Sequence, residues 1–66
     1  MYESPSSDDF VIETNDKRLI LGKYNGIVID TFDSINSIIL FLESLNTKIT
    51  VWFLNQDGTY KKMEMN

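Results

Sequence analysis

Only a few side chains in this chain have a spacing that could serve a metal ion. Asp30 and Asp33 form a D-x-x-D pair, as carboxylates for magnesium would. Residues 53–64 match an EF-hand loop at several positions, but Phe53 occupies the first position and cannot ligate a metal. We therefore interpret the first pair as a strand end followed by a helix cap, and the second stretch as a hairpin turn. No metal and no cofactor is expected.

The chain has few side chains of the types that enzymes use for catalysis. The chain has no histidine and no cysteine, which removes the commonest general base, thiol nucleophiles and disulfides. The three glycines are scattered at predicted turns and form no phosphate-binding loop. A chain of 66 residues with this composition seldom assembles a nucleophile, a base and a pocket. We expect a protein that is not an enzyme and has no catalytic site.

The net charge of −4 is unevenly distributed. Residues 1–16 hold five acids and no base, which is −5, and residues 17–66 hold six bases against five acids, which is +1. We expect residues 1–9 to form a flexible acidic tail and residues 10–66 to form a single domain. Removal of residues 1–8 should leave the fold intact. The start lacks a basic and apolar leader, and the longest apolar run, 38–42, is too short to span a bilayer. A cytoplasmic protein without membrane contact is expected.

Hydropathy patterning predicts the elements that position these residues. Alternating or apolar runs predict strands over 10–13, 18–22, 27–32, 48–55 and 59–65, with Asn-Gly at 25–26 as a hairpin signal. A helix is predicted from an apolar stripe at helical spacing, formed by Ile35, Ile38, Ile39, Leu42 and Leu45, with Asp33 or Ser34 as its cap. The fold class is therefore α+β. We expect one antiparallel five-stranded sheet in the order β-β-β-α-β-β, with the helix packed on one face.

The stretch VWFL at 51–54 is apolar on both faces of its strand. If one face packs under the helix, Trp52 and Leu54 point to the other side, where a two-layer domain has no further layer. Exposed patches of this kind mark interfaces, so we predict a homodimer or a partner-protein surface. Its candidate residues are Trp52, Leu54, Tyr60, Met63 and Met65. The alternative is a sheet that curls into a half-barrel and covers both faces within one chain.

These features favour a small protein-binding module, a regulator or inhibitor of an unidentified protein, that associates with itself. The alternative function is binding of single-stranded nucleic acid through Lys23, Tyr24, Lys61 and Lys62, which the acidic start disfavours. The closing stretch VWFLNQDGTYKKMEM is similar to the last hairpin of phage uracil-DNA glycosylase inhibitors, over less than a quarter of the chain. This resemblance assigns no residue roles. The small size, acidity and many Ile, Asn and Lys residues also resemble phage or mobile-element proteins.

Overall fold

The computed structural model describes residues 4–65, and of residues 64 and 65 it describes the backbone. It has an α+β fold with one five-stranded sheet and a helix in the described range. The elements are β1 (Phe10–Asn15), β2 (Arg18–Lys23), β3 (Val28–Phe32), α1 (Ile35–Ser44), β4 (Ile49–Leu54) and β5 (Tyr60–Met65). Their order is the predicted β-β-β-α-β-β. Over this range, no helix has both the length and the apolar character needed to cross a membrane.

The sheet is mixed, which corrects the prediction of a purely antiparallel sheet. The strand order is β3-β2-β1-β4-β5. β4 pairs with β1 in parallel, whereas the other three neighbouring pairs are antiparallel. The first three strands, β1 to β3, form an antiparallel meander, and β4 and β5 form the predicted hairpin. The hairpin joins the meander on the side of β1.

The parallel pair follows from the position of α1 in the chain. A helical connection returns the chain to the end of the sheet at which the previous strand began, so β4 runs in the same direction as β3. β1 also runs in that direction, because β1 and β3 are both antiparallel to β2. A hairpin that joins the free side of β1 through its first strand must therefore form a parallel pair.

A turn and a helix cap form at the residues from which the sequence predicts them. Gly26 has φ 100°, a left-handed conformation that suits glycine, and the Ile27 amide donates to the Asn25 side-chain oxygen over 3.1 Å. At the start of α1, the amide of Ser37 donates to Ser34 Oγ over 3.3 Å, so Ser34 is the N-cap residue. These contacts explain why the meander and the helix start could be located from short motifs.

The largest fully buried side chains form one cluster, which joins the sheet to α1. β1, β2 and β4 each contribute one residue and α1 contributes two: Ile12, Leu21, Val51, Ile38 and Leu42. Each such side chain contributes about 1.5–3 kcal/mol relative to its exposed state. We call the side of the sheet that carries Ile12, Leu21 and Val51 the helix face, and the opposite side the second face.

Candidate functional site

The second face has a small buried centre of its own. Val11 and Trp52 lie beside each other in the parallel pair of β1 and β4, and both point away from the helix face. Val11 is 5% exposed and Trp52 is 4% exposed. The indole is therefore covered within a single chain, on the side of the sheet that the helix does not reach. Nothing in the helix can account for this burial, so other parts of the chain must provide it.

Part of the cover is the N-terminal strap, which we define as residues 4–9. A carboxylate oxygen of Asp9, Oδ2, accepts a hydrogen bond from Trp52 Nε1 over 3.0 Å and another from the Ser6 amide over 3.0 Å. Pro5, next to Ser6, is buried. The strap therefore lies against the second face and gives the buried indole N–H a charged acceptor, as a buried tryptophan requires.

Backbone hydrogen bonds also attach the strap to the turn between β2 and β3. The amide of Tyr24 donates to the Asp9 carbonyl over 3.0 Å, and the amide of Asn25 donates to the Ser7 carbonyl over 3.2 Å. Residues 4–9 of the predicted flexible tail are thus bonded to the domain at three points, counting the Trp52 indole. Residues 1–3 of that tail lie outside the described residues.

A pair of tyrosine rings crosses the second face from opposite sides. The rings of Tyr24 and Tyr60 meet edge to face, with centroids 5.5 Å apart and an interplanar angle of 77°. Tyr24 follows β2 and Tyr60 begins β5, so β1 and β4 lie between them. Three strand spacings in a flat sheet would separate the two strands by about 14 Å. The side chains of Tyr24 and Tyr60 therefore reach towards each other over β1 and β4 and cover part of the second face within one chain.

The surroundings of Tyr60 on the second face affect its ionisation. The pKa of Tyr60 is raised above its usual value, mainly because partial burial disfavours the phenolate, and further because of the charges of Tyr24 and Glu13. Lys62, the cross-strand neighbour of Trp52, places its Nζ 5.8 Å from the centroid of the indole ring. A cation at this distance from the ring adds a weak attraction to the cover over the indole.

The structure does not bring the predicted interface residues together on one exposed patch. Trp52, Leu54 and Tyr60 lie on the second face, where Trp52 is buried and the other two are half-buried. Met63 is opposite Val51 and packs against the buried cluster on the helix face. The side chain of Met65 lies outside the described part. An interface built on this set would therefore require the second face to open.

The predicted nucleic-acid contacts are also divided between the two faces. The Nζ of Lys23 lies 5.7 Å from the centroid of the Phe10 ring, and Lys61 is opposite Phe53, both on the helix face. Lys62 and Tyr24 belong to the second face. Four residues spread over two faces and across the width of the sheet do not form one basic groove for a nucleic-acid strand.

The carboxylates with metal-like spacing have other partners. Asp33 forms an exposed ion pair with Arg18, Oδ1 to Nε 3.8 Å, which contributes little stability. Asp57 accepts from the amide and the hydroxyl of Thr59 at 2.9 and 2.6 Å, and these bonds lower the pKa of Asp57. Both interactions agree with a helix-start residue and a hairpin turn. In residues 4–65, no three or more acidic side chains gather into a group that could hold a metal ion.

An exposed apolar surface remains at the β3 edge of the second face, and we call its three aliphatic residues the β3 patch. Val28 is 66% exposed, Ile27 is 57% exposed, and Ile20 beside them is half-buried. The three side chains line a cleft of about 180 Å³, together with Glu13 and Lys23 among others. The strap and the tyrosine pair therefore leave part of the second face uncovered, next to the edge of the sheet.

Comparisons with protein-family models, with curated proteins and with solved structures find no match to this chain. The candidate site consequently depends on geometry alone. The signal that could have located the strap is weak but physical. A tryptophan on a face without a helix needs both cover and an acceptor for its N–H, and Asp9 directly precedes the strand that pairs beside Trp52. The sequence did not predict that β1 and β4 are neighbours, because β4 was expected in an antiparallel pair.

Proposed function

We propose that this chain is a small non-enzymatic protein-binding module, a regulator or inhibitor of a partner protein, and that it binds through the β3 patch. The observation that carries the proposal is the exposure of Val28 and Ile27, at 66% and 57%, side by side at the edge of the sheet. Single exposed apolar side chains are ordinary, but adjacent ones beside a cleft are typical of binding surfaces. Burial of these two side chains would add to the free energy of unfolding, and a domain this small has few other such contributions.

The remainder of the chain supports binding over catalysis. Asp57 is engaged in a turn and Asp33 in a surface ion pair. The two faces of the sheet separate the lysines that would have to cooperate on a nucleic acid. The chain contains neither histidine nor cysteine. A surface that combines aliphatic side chains with a free strand edge fits a protein partner better than a small polar substrate.

The experiment that tests the proposal compares two matched substitutions. Val28→Lys changes the β3 patch, and Leu40→Lys changes an equally exposed leucine on α1, at 69% exposure. A partner should be retained by the wild type and by Leu40→Lys, lost with Val28→Lys, and should bind the purified wild-type chain directly in a titration. Equal retention by all three proteins would remove the β3 patch from the proposal.

Self-association and a cytoplasmic location remain predictions within this proposal. A homodimer through Trp52 would need the strap to leave the second face, because Asp9 and Trp52 are hydrogen-bonded in the single chain. Sedimentation velocity across a range of concentrations distinguishes the cases. A dimer whose tryptophan emission shifts red on dilution would support the Trp52 interface, and a monomer with unchanged emission would exclude it.

A further inference from the structure

The two outer edges of the sheet differ in how well they are protected. β5 is one edge strand, and it carries exposed Lys61 and Lys62, which discourage the addition of another strand. β3 is the other edge strand. It contains neither lysine nor proline, and its protection consists of one register irregularity, opposite Leu21 and Gly22, and the exposed carboxylate of Asp30. Among the described residues no strand pairs with the outer side of β3. Within β3 the Thr31 amide donates to Asp30 Oδ1 over 2.7 Å, so an added strand would meet an Asp30 carboxylate that already has a backbone partner.

The two sides of β3 present different chemistry to such a strand. Val28 is opposite Gly22 and therefore lies on the second face, beside Ile20. Asp30 is opposite Leu21, on the helix face, and it is exposed. Successive residues of an added strand point to alternate faces. One set would therefore contact the β3 patch and the other would pass the carboxylate of Asp30.

We propose that the partner contributes an extended segment in which apolar residues alternate with lysine or arginine, and that this segment adds to β3 as a sixth strand. This inference rests on the proposed function and names the chemistry of its partner. An opposite charge across from Asp30 stabilises such a pairing, and a like charge destabilises it.

A second copy of the chain fits this edge poorly. Asp30 is the central residue of Val28–Phe32. A twofold antiparallel pair over the full length of two β3 strands would therefore place Asp30 directly opposite Asp30. Like charges in that position are unfavourable. The β3 edge thus selects a strand of different sequence, with a base where this chain has an acid.

The test uses three N-acetylated and C-amidated heptapeptides, VKVKVKV, VEVEVEV and VVVVKKK, with the full chain. We expect the first to bind about tenfold more tightly than either of the others, because only it combines alternation with the favourable charge. Asp30→Lys should reverse the preference between the lysine and glutamate peptides. Glu43→Lys changes the net charge equally on exposed α1, and it should preserve the preference.

Hydrogen exchange of backbone amides, followed by NMR, locates the peptide. Slower exchange in β3 with unchanged exchange in β5 is the expected result. Binding that protects β5, or equal binding of VKVKVKV and VVVVKKK, would overturn the strand-addition inference. If the peptides fail but Val28→Lys still abolishes binding of a partner, the β3 patch binds a folded surface and the proposed function stands. If Val28→Lys has no effect on any partner, the proposed function fails.

Discussion

The Asp9 carboxylate is the most informative single group to remove. Trp52 is 4% exposed, and its Nε1 donates to Asp9 Oδ2 over 3.0 Å. Asp9→Ala leaves the indole N–H without an acceptor in a place that water reaches poorly. An unsatisfied buried donor costs about 1–3 kcal/mol, whereas the exposed Ser6 amide can exchange its bond for one with water.

We therefore expect Asp9→Ala to lower the free energy of unfolding by about 1.5 kcal/mol, within that range. For a domain of this size each kcal/mol lowers the Tm by about 4–8 °C, which gives a decrease of roughly 6–12 °C. Thermal unfolding followed by far-UV circular dichroism measures the decrease, and emission of the single tryptophan should shift red in the folded variant. Asp8→Ala is the matched control, because Asp8 is exposed and lies next to Asp9.

A double-mutant cycle isolates the hydrogen bond from other effects of the substitution. In a Trp52→Phe background the indole N–H is absent, so Asp9→Ala should then cost much less than it does in the wild type. Equal losses in both backgrounds would refute the role of this bond. So would a Tm for Asp9→Ala that equals the Tm for Asp8→Ala, since the strap would then contribute no more than a solvated tail.

The other predictions concern ionisation, packing and the alternative function. Because the folded pKa of Tyr60 is raised, the stability that depends on its neutral phenol is fully present below about pH 10 and is lost as the pH rises through the folded pKa. Tyr60→Phe should therefore remove a phenolate absorbance step that lies above about pH 10 in the wild type. Gly22→Ala should cost about 1–3 kcal/mol in a denaturant titration, because the added Cβ would lie 2.6 Å from the Ile27 carbonyl oxygen, and a variant as stable as the wild type would contradict this contact. Single-stranded DNA and RNA should bind more weakly than about 100 µM at physiological salt, and micromolar binding in an anisotropy titration that disappears as salt rises would restore the nucleic-acid function.

The helix and the turn between β2 and β3 could be predicted from the sequence, because residues close together in the chain determine them. The helix has one apolar stripe, and Ile38 and Leu42 of that stripe belong to the buried cluster. At the predicted turn Gly26 adopts a left-handed conformation with φ 100°, which glycine permits. These signals act within a few residues, so they need no knowledge of which strands are neighbours.

Strand order depends on a choice between edges that local patterns do not encode. The hairpin of β4 and β5 could have added to β3 or to β1, and periodicity is the same in both cases. A helical connection does favour parallel strands, and that rule pointed towards the observed pair. Because β4 lies beside β1, Trp52 comes next to Val11 and within reach of the residues just before β1. The position of the strap is thus a consequence of the connection through α1, which places β4 beside β1.

The composition of residues 1–9 predicts a solvated tail, whereas residues 4–9 form hydrogen bonds with the rest of the domain. Polar and acidic residues near a terminus usually remain solvated, because they cannot bury enough apolar surface to offset the entropy lost on ordering. Here residues 4–9 need to bury little of their own surface. They cover an indole whose burial is itself favourable, and Asp9 contributes a charged acceptor where a neutral side chain would contribute a weaker one.

The second face explains why the exposed surface lies where it does. The strap is attached to the turn after β2, and the tyrosine pair crosses the same end of the sheet, so both cover β1 and β4. The strap leads directly into β1, and its backbone hydrogen bonds reach as far as the turn between β2 and β3. Val28 is left beyond that cover, next to an edge without lysine. A partner strand at β3 would extend the sheet at its edge, and its side chains on the second face would contact the β3 patch without displacing Asp9 from Trp52. Binding at β3 and closure of the strap are therefore compatible, whereas a dimer through Trp52 would have to break the contacts that stabilise the single chain.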